Sequence, residues 1–163
     1  MISTATIGDD TVTQETIREA LRKLGGWGSV YVPEYTWGDL RIDALVIDTR
    51  KRWVRGFEIK LSRSDFLRDE KWQLYTEFCS SLSIVCPKGL IAKSEVSEPF
   101  GLLYVSRTKY GVEHTWIKKP KRFQRRNSLA WIWTYIKVLE KELPRLVHEL
   151  EQLRKAYEHS IIN

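Results

Sequence analysis

The clearest chemical signal in the chain is an aspartate, Asp43, followed at a distance by the sequence Glu58-x-Lys60. Residues 41–48 and 52–60 are rich in β-branched and aromatic side chains and flank a short polar turn, which predicts a β-hairpin. Side chains alternate between the faces of a strand, so Glu58 and Lys60 share one face. The paired strand would bring Asp43 alongside them. The pattern therefore predicts two carboxylates and one ammonium group at the end of a hydrophobic sheet.

These three side chains suit the hydrolysis of a phosphodiester. Two carboxylates, with a backbone carbonyl and water, supply the oxygen ligands that Mg²⁺ or Mn²⁺ prefers. Such an ion polarises the phosphodiester and generates hydroxide near neutral pH, and a lysine can hold the attacking water. Glu-x-Lys by itself is common and also fits a cross-strand salt bridge on the surface. Asp43 lies within an apolar run, where an uncompensated acid is costly, and this favours the site.

The residues around this signal resemble a known group of enzymes. The order Glu34, Arg41-x-Asp43, Glu58-Ile59-Lys60 resembles the PD-(D/E)XK nuclease superfamily, which has the restriction-endonuclease-like fold. The stretch that follows is similar to the MmcB-like branch of bacterial DNA-repair-associated proteins. The matching positions are Ser62, Arg63, Asp65, Phe66, Asp69, Lys71, Trp72, Tyr75, Cys79 and Pro87. The resemblance covers about residues 30–106, and Ile42 replaces the proline that gives the superfamily its name.

The resemblance implies a function and a set of site residues. Asp43 and Glu58 would bind Mg²⁺ or Mn²⁺, with help from the Ile59 carbonyl, and Lys60 would act on the nucleophilic water. Glu34 would be a further catalytic acid and metal ligand, and Glu19 is a weaker candidate. The implied protein is a metal-dependent DNA nuclease of repair, recombination or a mobile element such as a phage. The alternative is a nuclease-fold DNA-binding module with little or no hydrolysis, and the sequence does not distinguish DNA from RNA.

The net charge points to a polyanionic partner. The chain has 27 Lys and Arg against 21 Asp and Glu, a net charge of +6, and residues 107–126 hold eight bases and one acid. Clustered bases bind phosphates through counterion release, although a solvated basic loop explains the run equally well. We expect nucleic-acid contacts from Arg41, Arg63, Lys71, Lys118, Lys119, Lys121, Arg122, Arg125 and Arg126.

The elements that would position the site belong to an α/β fold. A capping box at Thr11 and Gln14 predicts a helix over 12–24, and a second box at Ser62 and Asp65 predicts one over 65–80. Besides the hairpin, strands are predicted at 30–32, 83–86, 102–105 and 112–117, the first ended by Pro33. We expect a restriction-endonuclease-like core in residues 1–126, with a central mixed sheet of about four to five strands flanked by helices.

The rest of the chain, residues 127–163, is predicted to be a C-terminal helical extension. Its apolar residues alternate spacings of three and four from Leu129 to Tyr157, which is typical of a coiled-coil seam. Pro144 interrupts the pattern and should kink or split the helix. A homodimerisation arm and two helices packed on the chain's own core explain the pattern equally well.

Composition excludes several other classes of protein. Hydrophobic residues make up 42% and charged residues 29%, which is ordinary for a folded domain. No apolar run approaches the roughly 20 residues that span a bilayer, and no signal peptide is visible at the start of the sequence. Cys79 and Cys86, with three scattered histidines, make neither a zinc site nor a disulfide framework. We therefore expect a cytoplasmic protein that does not enter membranes.

Overall fold

The computed structural model describes residues 11–48, 50–51, 53–69, 72–123 and 130–162. The chain divides into two units, residues 1–127 and residues 128–163. The first unit is an α/β fold built on one sheet, and the second contains a single long helix. Of the helices in the described part of the chain, none is long and apolar enough to span a bilayer.

The sheet has six strands, which neighbour one another in chain order. They are β1 (Ser29–Trp37), β2 (Leu40–Asp48), β3 (Trp53–Ile59), β4 (Ser81–Pro87), β5 (Gly101–Thr108) and β6 (Gly111–Lys118). The central strands β3, β4 and β5 run parallel, and antiparallel hairpins complete both edges. The predicted α/β class and mixed sheet are confirmed. The predicted number of about four to five strands is wrong, because both outer strands pair along most of their length.

Strand β1 continues past Pro33 to Trp37, so the prediction that Pro33 ends the strand is wrong. The strand lies at the edge of the sheet, where a proline is tolerated because its missing N–H group can face away from the neighbouring strand. The residue that follows, Glu34, has a φ of 52°, which lies in the left-handed region that non-glycine residues rarely adopt. This distortion lies next to the part of β2 that carries Asp43.

Helix α1 (Gln14–Leu24) packs across one face of the sheet. Ile17, Ala20 and Leu21 are fully buried there, against apolar residues of β2 to β5. The helix is capped by Thr13, whose hydroxyl accepts the Thr16 N–H at 3.2 Å while the Thr16 hydroxyl accepts the Thr13 N–H at 3.2 Å. The capping box predicted at residues 11 and 14 is therefore wrong, and the helix begins two residues later than predicted.

The connection between β3 and β4 is not the single helix predicted over 65–80. It consists of helix α2 (Arg63–Arg68) and a separate 3-10 segment, Trp72–Glu77. Ser62 caps α2 as predicted, since its hydroxyl accepts the Asp65 N–H at 3.2 Å. The helix stops because Asp69 is extended, with φ −91° and ψ 108°, and its carboxylate binds a lysine at the end of β3.

The other face of the sheet is covered by the residues after the 3-10 segment. The Phe78 ring lies 5.8 Å from the ring of Tyr35 and 5.9 Å from that of Tyr75, measured between centroids. The neighbouring Cys79 is buried against Gly56, where a Cβ atom would lie 2.7 Å from the Cys79 sulfur. Burial raises the pKa of the Cys79 thiol. A glycine in β3 therefore lets this segment pack directly on the strand that carries Glu58.

Helix α3 (Ala130–Ile162) is continuous, with Pro144 inside it. The chain is thus not split into two helices at Pro144, although a proline in a helix interior costs about 3 kcal/mol. Hydrogen bonds of the long flanking segments hold the helix together across that one missing donor. Several residues of the predicted seam are exposed, among them Leu143, Leu146, Leu150, Leu153 and Tyr157.

The close approach at Gly56 can be tested by adding one methyl group. We expect Gly56→Ala to lower the free energy of unfolding by about 1–3 kcal/mol, because the new carbon meets both the Cys79 sulfur and Ile42 at 2.7 Å. Urea unfolding followed by circular dichroism measures the change. In the Cys79→Ala variant, which lacks the sulfur, adding Gly56→Ala should lower the free energy of unfolding by less than it does in the wild type. A Gly56→Ala protein as stable as the wild type would contradict this packing.

Candidate active site

A cavity of about 260 Å³ lies at the carboxyl end of β3. Its lining residues are Gln14, Asp43, Glu58, Ile59, Lys60, Leu61 and Asp65. The structure thus brings together four residues that the sequence analysis singled out from two different strands. Among the lining side chains, three acids surround one lysine, so the cavity carries negative charge when its carboxyl groups are ionised.

Asp43 is fixed by the backbone of the neighbouring strand. The regular pairing of β2 with β3 ends at Ala44 and Phe57. Beyond this pair of residues, the Asp43 Oδ2 atom takes the place of a backbone carbonyl and accepts the Ile59 N–H at 2.8 Å. The carboxylate is therefore held beside Glu58, the residue just before that N–H group.

Glu58 is the acid of the cavity whose pKa is raised. Its side chain is buried, with 5% exposure. Burial and the nearby negative charge of Asp43 raise the pKa of Glu58 from 4.5 to about 8. One carboxyl oxygen, Oε2, lies 3.6 Å from the Lys60 ammonium. The other, Oε1, is buried and has no hydrogen-bond partner among the residues that the structure describes.

Lys60 is buried to a similar extent, with 6% exposure, and is held by an acid from outside the hairpin. Its ammonium nitrogen lies 2.5 Å from Oδ2 of Asp69, the residue that ends α2. Burial alone would lower the pKa of Lys60, but the hydrogen bond and charge of Asp69 and the charge of Glu58 outweigh it and raise the pKa. The ammonium group is therefore charged and fixed in position beside Glu58.

Sequence reasoning missed the roles of three residues at this site. Gln14 was predicted to complete a helix cap, but it lines the cavity from the start of α1. Asp69 is a matching position of the resemblance to which no role was given, and it holds Lys60. Tyr75, another matching position, donates its hydroxyl to the Arg41 carbonyl at 2.8 Å. That bond ties the 3-10 segment to the start of β2, just before Asp43.

The donor groups at this site fit a hard divalent cation. Asp43 and Glu58 offer carboxyl oxygens, Ile59 lines the same cavity, and the Glu58 Oε1 atom lacks a hydrogen-bond partner within the described part of the chain. No cluster of three or more His, Cys, Asp or Glu side chains suited to a metal occurs in the described residues. Two carboxylates with several waters are the usual protein share of a Mg²⁺ site, so the set fits Mg²⁺ or Mn²⁺.

The other two predicted acids lie in ion pairs. Glu34 binds Arg18 at 2.9 Å and lies 3.5 Å from Arg41, and it is not among the residues that line the cavity. Its role as a metal ligand stays a prediction. Glu19 binds Lys23 at 2.7 Å on the exposed side of α1. It is Gln14, one and a half turns earlier, that α1 contributes to the cavity.

Two of the bases predicted to bind nucleic acid near the site are held by acids. The Arg63 guanidinium makes two hydrogen bonds to the Glu95 carboxylate, at 2.6 and 2.7 Å, and lowers the pKa of Glu95 to about 2. Arg41 is paired with Glu34 as described above, although most of its side chain is exposed. Lys71 lies outside the described residues.

None of the described residues of the basic stripe lines the cavity. Lys118 and Lys121 both contact Glu98, at 3.4 and 3.3 Å, and Lys119 is exposed. The Arg122 guanidinium lies over the Trp53 ring, 5.7 Å from its centroid. Trp53 is the first residue of β3 and the cavity is at the last, which places about 20 Å of strand between them. Arg125 and Arg126 lie outside the described residues.

Comparison with known proteins supports the fold alone. No protein-family model matches the chain, and no curated protein matches it. Among solved structures, the chain is similar to a protein of unknown function from Silicibacter pomeroyi, with a TM-score of 0.60 and 23% sequence identity. The similarity covers 85% of this chain and 86% of that one. It therefore extends over most of both chains.

The raised pKa of Glu58 predicts a pH dependence of stability in metal-free protein. Between pH 4.5 and 8 the folded state keeps a proton that the unfolded state releases, so this group's contribution to stability falls as the pH rises. Relative to Glu58→Gln, the wild type should lose at least about 1 kcal/mol between pH 5 and 8.5. Urea unfolding in EDTA at both pH values measures this.

A surface acid provides the control for that experiment. The pKa of Glu95 is lowered from 4.5 to about 2, so it is ionised in the folded state and mostly ionised in the unfolded state at pH 5 and above. Glu95→Gln should therefore change stability equally at pH 5 and pH 8.5. If Glu58→Gln behaved in the same way as Glu95→Gln, Glu58 would be ionised in the folded protein and the description of the site would be wrong.

Proposed function

We propose that the protein is a Mg²⁺- or Mn²⁺-dependent nuclease that hydrolyses phosphodiester bonds in DNA. The observation that carries the proposal is the convergence of Asp43, Glu58 and Lys60 on one cavity, with a buried Glu58 oxygen that lacks a partner among the described residues. The proposal includes a restriction-endonuclease-like core, supported by the acids at the end of the β2–β3 hairpin. The resemblance of these residues to the PD-(D/E)XK superfamily supports the choice of substrate, and repair, recombination or a mobile element as the context.

In this proposal, the two acids and one backbone carbonyl hold the cation. Asp43, Glu58 and the Ile59 carbonyl would bind Mg²⁺ or Mn²⁺, which would neutralise phosphate charge and make a bound water more acidic. Asp43 is preorganised by the Ile59 N–H. Glu58 holds a proton at neutral pH, since its pKa is about 8, and must release it to become a ligand. The site is therefore expected to bind the cation more tightly as the pH rises.

Lys60 is proposed to act on the reacting groups. Its ammonium is positioned by Asp69 at 2.5 Å and by Glu58 at 3.6 Å. From there it can donate a hydrogen bond to the attacking water or to a phosphate oxygen that gains negative charge. Because the lysine is fixed before substrate arrives, it needs no reorganisation during the reaction. The Gln14 amide, at the start of α1, can donate a hydrogen bond to another oxygen of the substrate.

The negative charge of the cavity supports a catalytic site there rather than a site that only binds DNA. Even with Glu58 protonated, two aspartates and one lysine line it, so phosphate would be repelled unless a cation lay between. A protein that only binds DNA gains nothing from converging carboxylates. The alternative, a nuclease-fold DNA-binding module with little or no hydrolysis, is favoured by one observation. Arg122 of the basic stripe lies over Trp53, about 20 Å along the strand from the cavity, and could bind DNA there without any chemistry.

We propose that helix α3 pairs with a second copy of the chain. Its exposed leucines continue the three-and-four spacing over several turns, and a surface stripe of this length is unusual on a monomer. In a parallel pair in register, Glu149 of one copy would lie near Arg154 of the other, at flanking positions where opposite charges stabilise coiled coils. In an antiparallel pair, Glu142 and Glu149 of the two copies would face each other across the seam and repel.

The nuclease proposal predicts a metal-dependent activity that two substitutions remove. With Mg²⁺ or Mn²⁺, wild-type protein should cleave supercoiled plasmid or a labelled single strand. Asp43→Asn and Lys60→Ala should each lower the rate about 100-fold or more, because one loses a ligand and the other a preorganised charge. Glu113→Gln, an exposed acid on β6, serves as the control and should be fully active. Equal metal-dependent cleavage by all four proteins would contradict the site, and no cleavage with DNA binding retained would favour the binding module.

The pairing of α3 predicts an oligomeric state that depends on the seam. In sedimentation velocity, we expect wild-type protein to sediment as a dimer at micromolar concentration. The double variant Leu146→Glu, Leu150→Glu should sediment as a monomer, because it places four charges in the seam of a dimer. Lys141→Glu, an exposed position off the seam, is the control and should remain dimeric. A wild-type monomer would show that the seam does not pair two copies.

A further inference from the structure

At the end of the sheet opposite the cavity, an exposed tryptophan lies against an arginine. The Trp27 side chain, in the loop after α1, is 89% exposed. The Arg50 guanidinium lies 5.7 Å from the centroid of the Trp27 ring, and its Nη2 atom donates to the Trp27 carbonyl at 3.0 Å. Arg50 belongs to the β2–β3 turn. These contacts hold a large aromatic ring in solvent, where it contributes no free energy of apolar burial to the stability of the fold.

A second tryptophan, Trp53, lies on the other side of the same turn and has two arginines over its ring. Arg122 and Arg55 each place a guanidinium 5.7 Å from the centroid of the Trp53 ring. Arg122 also donates to the carbonyl of Lys51 at 3.4 Å, and Lys51 directly follows Arg50. The turn therefore joins both tryptophans. We call the five residues Trp27, Arg50, Lys51, Trp53 and Arg122 the tryptophan–arginine surface.

The charge of this surface is opposite to that of the cavity. Its cations are Arg50, Lys51 and Arg122, and an acid that contacts one of them is Asp48, 3.9 Å from the Lys51 ammonium. The Lys51 side chain is itself exposed. Guanidinium planes and indole rings stack on nucleobases, and the same cations pair with phosphates. The combination of rings and cations therefore fits a polyanion that has flat, accessible bases.

We propose that the tryptophan–arginine surface binds single-stranded DNA. In a duplex the bases are stacked on one another and offer no face to a protein ring, so the exposed indole of Trp27 favours a single strand over a duplex. The inference deepens the proposed function and rests on it for the choice of DNA as the polyanion. It assigns binding to the Trp53 end of β3 and hydrolysis to the Lys60 end, about 20 Å away.

The test measures binding without metal, so that cleavage plays no part. A fluorescein-labelled single strand of mixed sequence, about 20 nucleotides long, is titrated in EDTA at low salt and followed by anisotropy, beside the matching duplex. We expect the single strand to bind more tightly than the duplex. Trp27→Ala and Arg50→Ala should each weaken binding of the single strand about 10-fold, and Trp27→Phe should retain most of it. Because Trp27 is 89% exposed and Arg50 is also exposed, we expect these variants to fold, which circular dichroism checks.

A second exposed aromatic residue provides a matched control. Tyr110 is 83% exposed and has the Lys109 ammonium 4.8 Å from its ring centroid, at the β5–β6 turn. Tyr110→Ala and Lys109→Ala should bind the single strand as the wild type does. The inference is overturned if Trp27→Ala and Arg50→Ala bind normally, if the Tyr110 and Lys109 variants lose as much, or if the duplex is preferred.

The failure of this inference is distinguishable from failure of the nuclease. If Trp27→Ala cleaves with an unchanged kcat and a KM raised about 10-fold, the surface holds substrate for the cavity and the inference is supported. If Trp27→Ala has the wild-type KM, the surface is not used, and this inference is overturned while the nuclease stands. If Asp43→Asn cleaves as the wild type does but Trp27→Ala still binds weakly, the nuclease site is wrong and the surface stands.

Discussion

The closeness of two carboxyl groups, Asp43 and Glu58, is the constraint on which the rest of the site depends. Two negative charges out of water repel each other, and the chain compensates in three ways. The Ile59 N–H stabilises Asp43, a proton neutralises Glu58 near pH 7, and Lys60 lies beside Glu58. Lys60 in turn requires its own partner. Asp69, the residue that follows the last turn of α2, supplies it.

Sequence alone could predict the part of this arrangement that is local. Side chains alternate between the two faces of a strand and the predicted turn is short, so the closeness of Asp43 to Glu58 and Lys60 followed from chain geometry. Asp69 and Gln14 could not be placed, because each reaches the cavity from a separate element whose approach depends on packing against the sheet. The helix predicted over 65–80 was wrong for the same reason. Its sequence favours a helix, and it does not show that Asp69, at the end of α2, binds Lys60.

The sequence also could not show that the acids of the cavity and the tryptophan–arginine surface lie at opposite ends of β3. Of the run of bases after β6, Arg122 lies over the ring of Trp53, at the start of β3. The acids then occupy one end of the strand, and stacked arginines and tryptophans occupy the other. This separation has a physical advantage. An acidic cavity binds a cation well, and it leaves the attraction of a polyanion to the tryptophan–arginine surface, where Arg50, Lys51 and Arg122 are the cations and Asp48 contacts Lys51.

Direct measurement of Mn²⁺ binding tests the central claim, that Asp43 and Glu58 form a cation site. Electron paramagnetic resonance counts free Mn²⁺ during a titration at pH 7, and a pH indicator in weakly buffered solution counts the protons released. We predict one Mn²⁺ per chain and the release of about one proton, since Glu58 has a pKa of about 8 and must ionise to bind. Glu58→Gln should lose both signals. Binding of Mn²⁺ by Glu58→Gln with wild-type affinity, or no binding by the wild type, would contradict the account.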